Sequence, residues 1–445
     1  MGQLFGTDGI RGVANTELTP ELVVGLGRAL VRTLREEGKD RPQILVGRDP
    51  RASGEMLEAA LIAGVTSAGG DVIGVGVLPT PGVAFLTAET SADAGAMISA
   101  SHNPVEDNGI KFFGPGGAKL TDTEEDRIEE LLQRVSDDRP VGAHVGRFRR
   151  DHELLVRYVE HLAGVAGENL SDLHVVLDCA NGAASHVAPF VLRRLGAQVT
   201  VINARPDGAN INAGCGSTHP AVVAAAVLDA GADIGLSHDG DADRLIAADH
   251  DGNIVDGDVI LAILAADQHE RDGLDTVVTT VMTNLGFTRT MRSLGIEVVQ
   301  TQVGDRYVRE AMLAGDHPIG GEQSGHIILT DYATTGDGVL TAIRLLSVLA
   351  RTGKSLHDLA AIMERMPQVL VNVRGVDRQR LGEADALWRA VELEREGLGE
   401  DGRILVRASG TEPLVRVMVE ADTVEHATEV AERLGKVVHD ELRLD

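Results

Sequence analysis

Cysteine is nearly absent. Cys179 and Cys215 are the only two in 445 residues, which argues against a disulfide framework and makes a reducing cytoplasm the expected compartment. Lysine is almost as scarce, confined to Lys39, Lys111, Lys119, Lys354 and Lys436. Basic residues number 41 against 68 acidic ones, a formal net charge of −27. A chain this negative lacks the basic footprint that nucleic-acid binding requires. An acidic, arginine-rich, lysine-poor surface fits a protein kept soluble at high salt, where long-range repulsion is screened, with an ordinary acidic chain as the alternative. Glycine or charge interrupts every apolar run, so no membrane span is expected. The opening Met-Gly-Gln-Leu-Phe-Gly-Thr-Asp has neither a basic n-region nor an apolar h-region, so no secretory leader is expected. Two nucleotide signatures are also missing. Gly353-Lys354-Ser355 lacks the upstream glycine of a phosphate-binding loop (Val348 stands there), and Gly74-Val75-Gly76 lacks the third glycine of a dinucleotide fingerprint.

What is present is a recurring alternation. A chain of this length divides into several domains. Short β-branched runs at residues 44–46, 72–75 and 96–99 read as strands, with an amphipathic helix over 53–68 capped by Ser53. A polar helix over 122–135 and a charged connector over 137–150 follow. The pattern restarts with strands at 175–177, 199–202 and 233–236, and again at 277–281, 298–301 and 327–329. After Pro367 the character changes: strands at 369–373, 404–406 and 415–419, with helices at 384–396 and 425–441. The expected architecture is three related α/β domains with mixed, mostly parallel sheets, residues 1–150, 151–253 and 254–367, plus a smaller α+β domain over 368–445.

Four polar segments carry the chemistry. Ser99-Ala100-Ser101-His102-Asn103-Pro104 follows an apolar strand, placing Ser101 on a turn at a sheet edge where ligands bind. A free serine hydroxyl is a poor nucleophile and needs a base or a prior phosphorylation; an ordinary strand-ending turn is the plain alternative. Lys111, on the next strand, falls near enough to serve Ser101. Asp239-Gly240-Asp241-Ala242-Asp243-Arg244 brings three carboxylates round a glycine, a set that suits a hard cation such as Mg²⁺. A Ca²⁺ loop wants glycine sixth and glutamate twelfth, where this chain has Arg244 and His250. Arg244 would stand beside the metal, able to neutralise phosphate charge.

Gly320-Gly321-Glu322-Gln323-Ser324-Gly325-His326 lies between two short strands. Read as extended, it puts Glu322, Ser324 and His326 on one side, with His326 available for proton transfer, although a histidine after a strand is commonly structural. Arg407-Ala408-Ser409-Gly410-Thr411-Glu412-Pro413, with Arg416 beyond, has the glycine, hydroxyls and guanidinium of an anion nest; a plain hairpin turn is the alternative.

On these segments, and on Phe5-Gly6-Thr7-Asp8-Gly9-Ile10-Arg11-Gly12, Gly47-Arg48-Asp49, Leu78-Pro79-Thr80-Pro81, Asp178-Cys179-Ala180-Asn181-Gly182, Cys215-Gly216-Ser217-Thr218-His219 and Thr335-Gly336-Asp337-Gly338, the chain resembles the α-D-phosphohexomutase superfamily over nearly its whole length. Gln323 and the Gly410–Pro413 form point to the subgroup acting on glucosamine phosphates. Mutases for mannose or glucose phosphates, and a catalytically silent sugar-phosphate-binding paralogue, are the alternatives. The resemblance implies four domains around a central cleft and a phosphoserine at Ser101. It implies Mg²⁺ on Asp239, Asp241, Asp243 and the serine phosphate, and a sugar 1,6-bisphosphate as intermediate and activator. Arg11 and Lys111 would flank the phosphoserine, Lys111 as general acid–base. Glu322 and Ser324 would hold the sugar, and Arg407, Ser409, Gly410, Thr411 and Arg416 the distal phosphate. Its partner is a small phosphosugar; the oligomeric state is open and allows a homodimer.

Overall fold

The computed structural model describes residues 4–6, 8–134, 139–409 and 413–444. The chain divides into two compact units, Met1–Met282 with Ile296–Ile362, and Thr283–Gly295 with Met363–Asp445.

The first unit is built on three mixed sheets. In the first, the strand order is Ile10–Val13, Asp107–Phe113, Ala94–Ile98, Gln43–Arg48, Asp71–Val77 and Phe148–Arg150. The last four strands are parallel, and Asp107–Phe113 runs against both its neighbours. The second sheet runs Ile254–Val255, Ile246–Asp249, Ile234–Ser237, His174–Asp178 and Gln198–Ile202, with its last three strands parallel. In the third, Glu297–Thr301, Thr276–Thr280 and Ile319–Gly321 are parallel and Ile327–Leu329 closes the edge antiparallel. Parallel strands need helical crossovers that cover the sheet, which is why strands such as Ala94–Ile98 are buried on both faces. The loops carrying Ser101 and the three aspartates both leave the carboxyl ends of such strands, where α/β sheets present ligand sites.

Helix ends follow local chemistry. Thr19 caps Pro20–Glu36, Thr121 and Glu124 form a reciprocal capping box on Asp122–Gln133, and left-handed Gly273 and Gly353 end Gly257–Asp272 and Gly338–Thr352. Ser53 does not cap the next helix. That helix is Ala52–Ser67, its N-cap is Arg51, and Ser53 Oγ instead accepts from Asn108 Nδ2 at 2.9 Å. The charged segment expected as a connector holds the edge strand Phe148–Arg150, paired to Asp71–Val77; residues 137 and 138 of it lie outside the described residues.

The second unit carries a three-stranded antiparallel sheet, Gln368–Arg374, Leu414–Glu420 and Arg403–Ala408. Helices Asp385–Leu398 and Val424–Leu442 bury Leu387, Val391, Val430 and Leu434 against it.

Candidate active site

Ser101 is 1% exposed and sits in the left-handed region with φ 52°, a conformation that a non-glycine residue holds only when its surroundings impose it. Its Oγ donates to Asp239 Oδ2 at 2.5 Å. Its N–H donates to Ser99 Oγ at 2.9 Å. The acidic loop approaches this turn closely because of Gly240, where a Cβ would fall 2.6 Å from the Ser101 carbonyl oxygen.

Asp239, Asp241 and Asp243 are buried, and each brings a carboxylate oxygen within 4.8 Å of the others. The Oδ1 atoms of all three are buried without a hydrogen-bond partner. Buried carboxylate oxygens left unpaired are costly, and three of them clustered in this way are a donor set suited to a hard cation. Asp239 shows that cost: burial, then the charges of Asp243 and Asp241, push its carboxyl well above the usual range. Burial acts the same way on Asp243, but His326, Lys111 and Arg244 outweigh it and hold that carboxyl low.

Around the cradle runs a closed ring of alternating charge. Lys111 Nζ lies 3.3 Å from Asp241, 3.8 Å from Asp243 and 2.9 Å from Asp8. Asp8 meets Lys119 at 2.5 Å, Lys119 pairs with Asp305, and His326 lies 3.5 Å from both Asp305 and Asp243. Burial opposes the Lys111 ammonium, yet Asp241, Asp8 and Asp243 raise its pKa far above the usual lysine value. Burial likewise works against His326, and the carboxylates of Asp243 and Asp305 lift it to about 9. The Gly336 N–H also points at His326 Nε2, 3.1 Å away, a contact only the neutral ring accepts; two flanking carboxylates outweigh one amide. Arg11 pairs with Asp8 and donates to Asn103 Oδ1 at 3.2 Å. Arg244 Nε is buried 3.8 Å from Asp243 Oδ1. Asp8, Arg11, Asp243, Arg244, Asp305, Glu322 and His326 line a cavity of about 220 Å³. A larger one, about 470 Å³, lies beside His250 and Lys354 and contains none of these residues.

The segment Glu322–Gly325 is not extended. It is a tight turn closed by Gly325 N–H to the Glu322 carbonyl (2.9 Å) and Glu322 N–H to the His326 carbonyl (3.0 Å). Gly325 takes φ 90° and packs so closely on Leu245 that a Cβ would lie 2.1 Å from its carbonyl oxygen. The expected alternation of side chains is therefore replaced by turn geometry. Glu322 still faces the cavity, accepting the Gly304 N–H at 3.2 Å, with its carboxyl raised by burial. Ser324 Oγ and Gln323 Nε2 are buried without partners.

In the second unit, Arg407 and Arg416 stand directly opposite on neighbouring strands. Like charges so placed repel, and after burial Arg416 is what lowers the Arg407 pKa. Ser409 N–H donates to the Leu414 carbonyl at 3.0 Å, and Arg378 reaches the Ser409 carbonyl. Gly410 and Thr411 lie outside the described residues.

Sequence reasoning missed Asp8, Lys119, Asp305 and Thr80 as neighbours of the site. Lysine scarcity was the available signal: two of the chain's five lysines, the buried Lys111 and the partly covered Lys119, sit in one ring. Asp305 is a single carboxylate with no local pattern to mark it, and Asp8, although inside the Phe5–Gly12 segment that carries the resemblance, belongs to no charge cluster in sequence.

Four family models match in chain order: phosphoglucomutase/phosphomannomutase alpha/beta/alpha domain I over residues 2–139, domain II over 156–252, domain III over 256–366, and the C-terminal domain over 370–437. The chain belongs to the phosphoglucomutase/phosphomannomutase family. The relatives it matches at high identity are phosphoglucosamine mutases. That of Thermobifida fusca is 54% identical over 100% of both chains, and that of Streptomyces coelicolor is 57% identical over 98% of this chain and 99% of its own. A solved phosphoglucomutase/phosphomannomutase family protein from Burkholderia thailandensis is 25% identical with a TM-score of 0.83, covering 98% of this chain and 97% of that one.

Proposed function

We propose that the chain interconverts glucosamine 6-phosphate and glucosamine 1-phosphate, with Ser101 as phosphoryl carrier and glucosamine 1,6-bisphosphate as intermediate. The observation that carries this is the Ser101 hydroxyl, 2.5 Å from Asp239, beside three buried carboxylate oxygens that accept no hydrogen bond. The choice of sugar is supported by the phosphoglucosamine mutases that match the whole chain.

Asp239, Asp241 and Asp243, together with a phosphate on Ser101, would hold Mg²⁺, which when bound offsets phosphate charge. In the forward transfer the P–O bond to Ser101 Oγ breaks as a new one forms at the free sugar oxygen. The proton of that sugar hydroxyl ends on Ser101 Oγ, so none leaves the site. Lys111, held as an ammonium, counters the charge of the Ser101 phosphate and can relay that proton, giving one to Oγ as the bond breaks and taking up the one the sugar hydroxyl loses. Arg11 and Arg244 supply further positive charge. Glu322 and Ser324 hold ring substituents, and His326 orients Asp243 and stands ready for proton transfer. Arg407, Ser409, Gly410, Thr411 and Arg416 take the phosphate that is not being transferred. The bisphosphate then turns over, its second phosphoryl group passes to Ser101, and the isomeric monophosphate is released. Two free cysteines support a reducing compartment, for which we propose the cytoplasm; among the described residues no helix is long and apolar enough to cross a membrane.

The test is a coupled assay with glucosamine, mannose and glucose 6-phosphates in parallel. The expected outcome is the highest kcat/KM with glucosamine phosphate. A preference for mannose or glucose phosphate would move the substrate assignment.

A further inference from the structure

Arg51 is a fully buried arginine, 0% exposed, and its partners are unusual. Its backbone N–H and Nε donate to Asp49, at 3.0 and 2.9 Å. One terminal nitrogen donates to the Ser101 and Asn103 carbonyls, both at 2.9 Å. The other donates to the Asp107 carbonyl at 3.0 Å and to the Pro104 carbonyl. One guanidinium thus gathers four carbonyl oxygens of the turn that carries Ser101.

The same arginine governs the other end of that residue. Ser101 N–H donates to Ser99 Oγ at 2.9 Å, Ser99 Oγ donates to Asp49 Oδ2 at 2.7 Å, and Asp49 is the carboxylate paired with Arg51. Both backbone polar groups of Ser101, the N–H through Ser99 and Asp49 and the C=O directly, lead to Arg51. Asn212 Nδ2 adds a second donor to the Ser101 carbonyl at 2.9 Å. Together these contacts hold Ser101 at φ 52°, where a serine does not rest unaided.

From this geometry we infer that Arg51 is a positioning residue for phosphoryl transfer, fixing the backbone of Ser101 so that its Oγ meets the acidic cradle in one orientation. The inference rests on the reading of Ser101 as phosphoryl carrier. Phosphorylation adds a charge of about −1.5 to −2 at that oxygen, and the carrier must accept and release the group twice per turnover. A turn with four of its carbonyls held by one buried fork does not shift as that charge comes and goes, so the reorientation falls to the sugar intermediate. Lysine cannot replace the fork, because a single ammonium with three donors cannot serve Asp49 and four carbonyls at once.

The experiment compares wild type with Ser99→Ala, Arg51→Lys and Ser101→Ala. Each is measured for the single-turnover rate of Ser101 phosphorylation by glucosamine 1,6-bisphosphate, for kcat and KM with glucosamine 6-phosphate per folded molecule, and for amide exchange over residues 101–107. Ser99→Ala cuts only the link to the Ser101 N–H. It is expected to slow phosphorylation and kcat about tenfold, with KM within about twofold and faster exchange confined to that turn. Arg51→Lys is expected to lose about 100-fold, the scale of an ångström's misplacement of a reacting group. A merely structural role would lower the melting temperature and leave the rate per folded molecule unchanged; that result overturns the inference. Should Arg51→Lys not fold, Ser99→Ala decides alone, and a normal phosphorylation rate in it is fatal to the proposal. Turnover surviving in Ser101→Ala would remove the carrier reading itself, and the inference with it.

Discussion

Thr80 Oγ1 donates to Asp241 Oδ2 at 2.5 Å, while the Thr80 N–H donates to the Asp241 carbonyl at 3.0 Å. The first residue of helix Thr80–Glu89 therefore clamps the acidic loop twice, occupying one carboxylate oxygen and leaving Oδ1 unpartnered. Outer groups that orient a ligand typically contribute 10–100-fold in metal affinity. Thr80→Val should weaken Mg²⁺ or Mn²⁺ binding about tenfold, measured by calorimetric titration. An unchanged dissociation constant would reduce the clamp to packing.

Removal of the cation should be visible without any assay of turnover. A ligand that binds only the folded state stabilises it by mass action, so Mg²⁺ should raise the wild-type Tm above that in chelator. Asp241→Asn deletes one of three carboxylate charges and should shrink that increment, along with activity. If saturating Mg²⁺ left the wild-type Tm where chelator leaves it, and chelated enzyme turned over normally, the cradle would not be a metal site.

Arg407 and Arg416 form a like-charged pair across two strands, an arrangement that an anion between them would relieve. Arg407→Ala should raise KM for glucosamine 6-phosphate at least about tenfold, with Arg407→Lys recovering only part, since a point charge cannot bind two phosphate oxygens at once. In phosphate-free buffer the alanine variant should lose little stability, because removing a cross-strand repulsion worth about 0.2–1 kcal/mol offsets lost packing. Steady-state kinetics and melting curves of both variants check this; a normal KM in Arg407→Ala would make the loop an ordinary turn.

Asp337 caps helix Gly338–Thr352 and accepts the Tyr158 hydroxyl at 2.8 Å. Burial raises its pKa from 3.8 to about 6, against the opposing hydrogen bonds from Leu340, Tyr158 and Val339. The folded state therefore binds this proton more tightly than the unfolded chain. The stability it contributes is fully present below pH 3.8 and is lost as pH rises through about 6, an effect on the order of 3 kcal/mol. Urea melts from pH 4 to 7 should show this slope in wild type and lose it in Asp337→Asn. Equal slopes in the two proteins would contradict the assignment.

Much of the α/β pattern was legible because its strands are apolar and buried on both faces, as at Ala94–Ile98 and Ile327–Leu329. Phe148–Arg150 was not, since all three residues of that edge strand are exposed and two are arginines. Ser53 looked like a cap because serine before an apolar period usually is one; its partner, Asn108, lies 55 residues away and no local rule reaches it. The three aspartates were readable as a cluster in one short loop. The charge ring was not, because Asp8, Lys119, Asp305 and His326 come from segments scattered across most of the chain, and only the tertiary fold joins them.

The central claim is that Ser101 carries the phosphoryl group. The most direct measurement is to mix the enzyme with glucosamine 1,6-bisphosphate labelled in both phosphates, quench within one turnover, and locate the label by peptide mass spectrometry, then chase with unlabelled glucosamine 6-phosphate. The account predicts label on Ser101 that the chase discharges into sugar bisphosphate at the rate of turnover, and none on Ser101→Ala. Turnover without label on Ser101, or label there that the chase cannot remove, would contradict it.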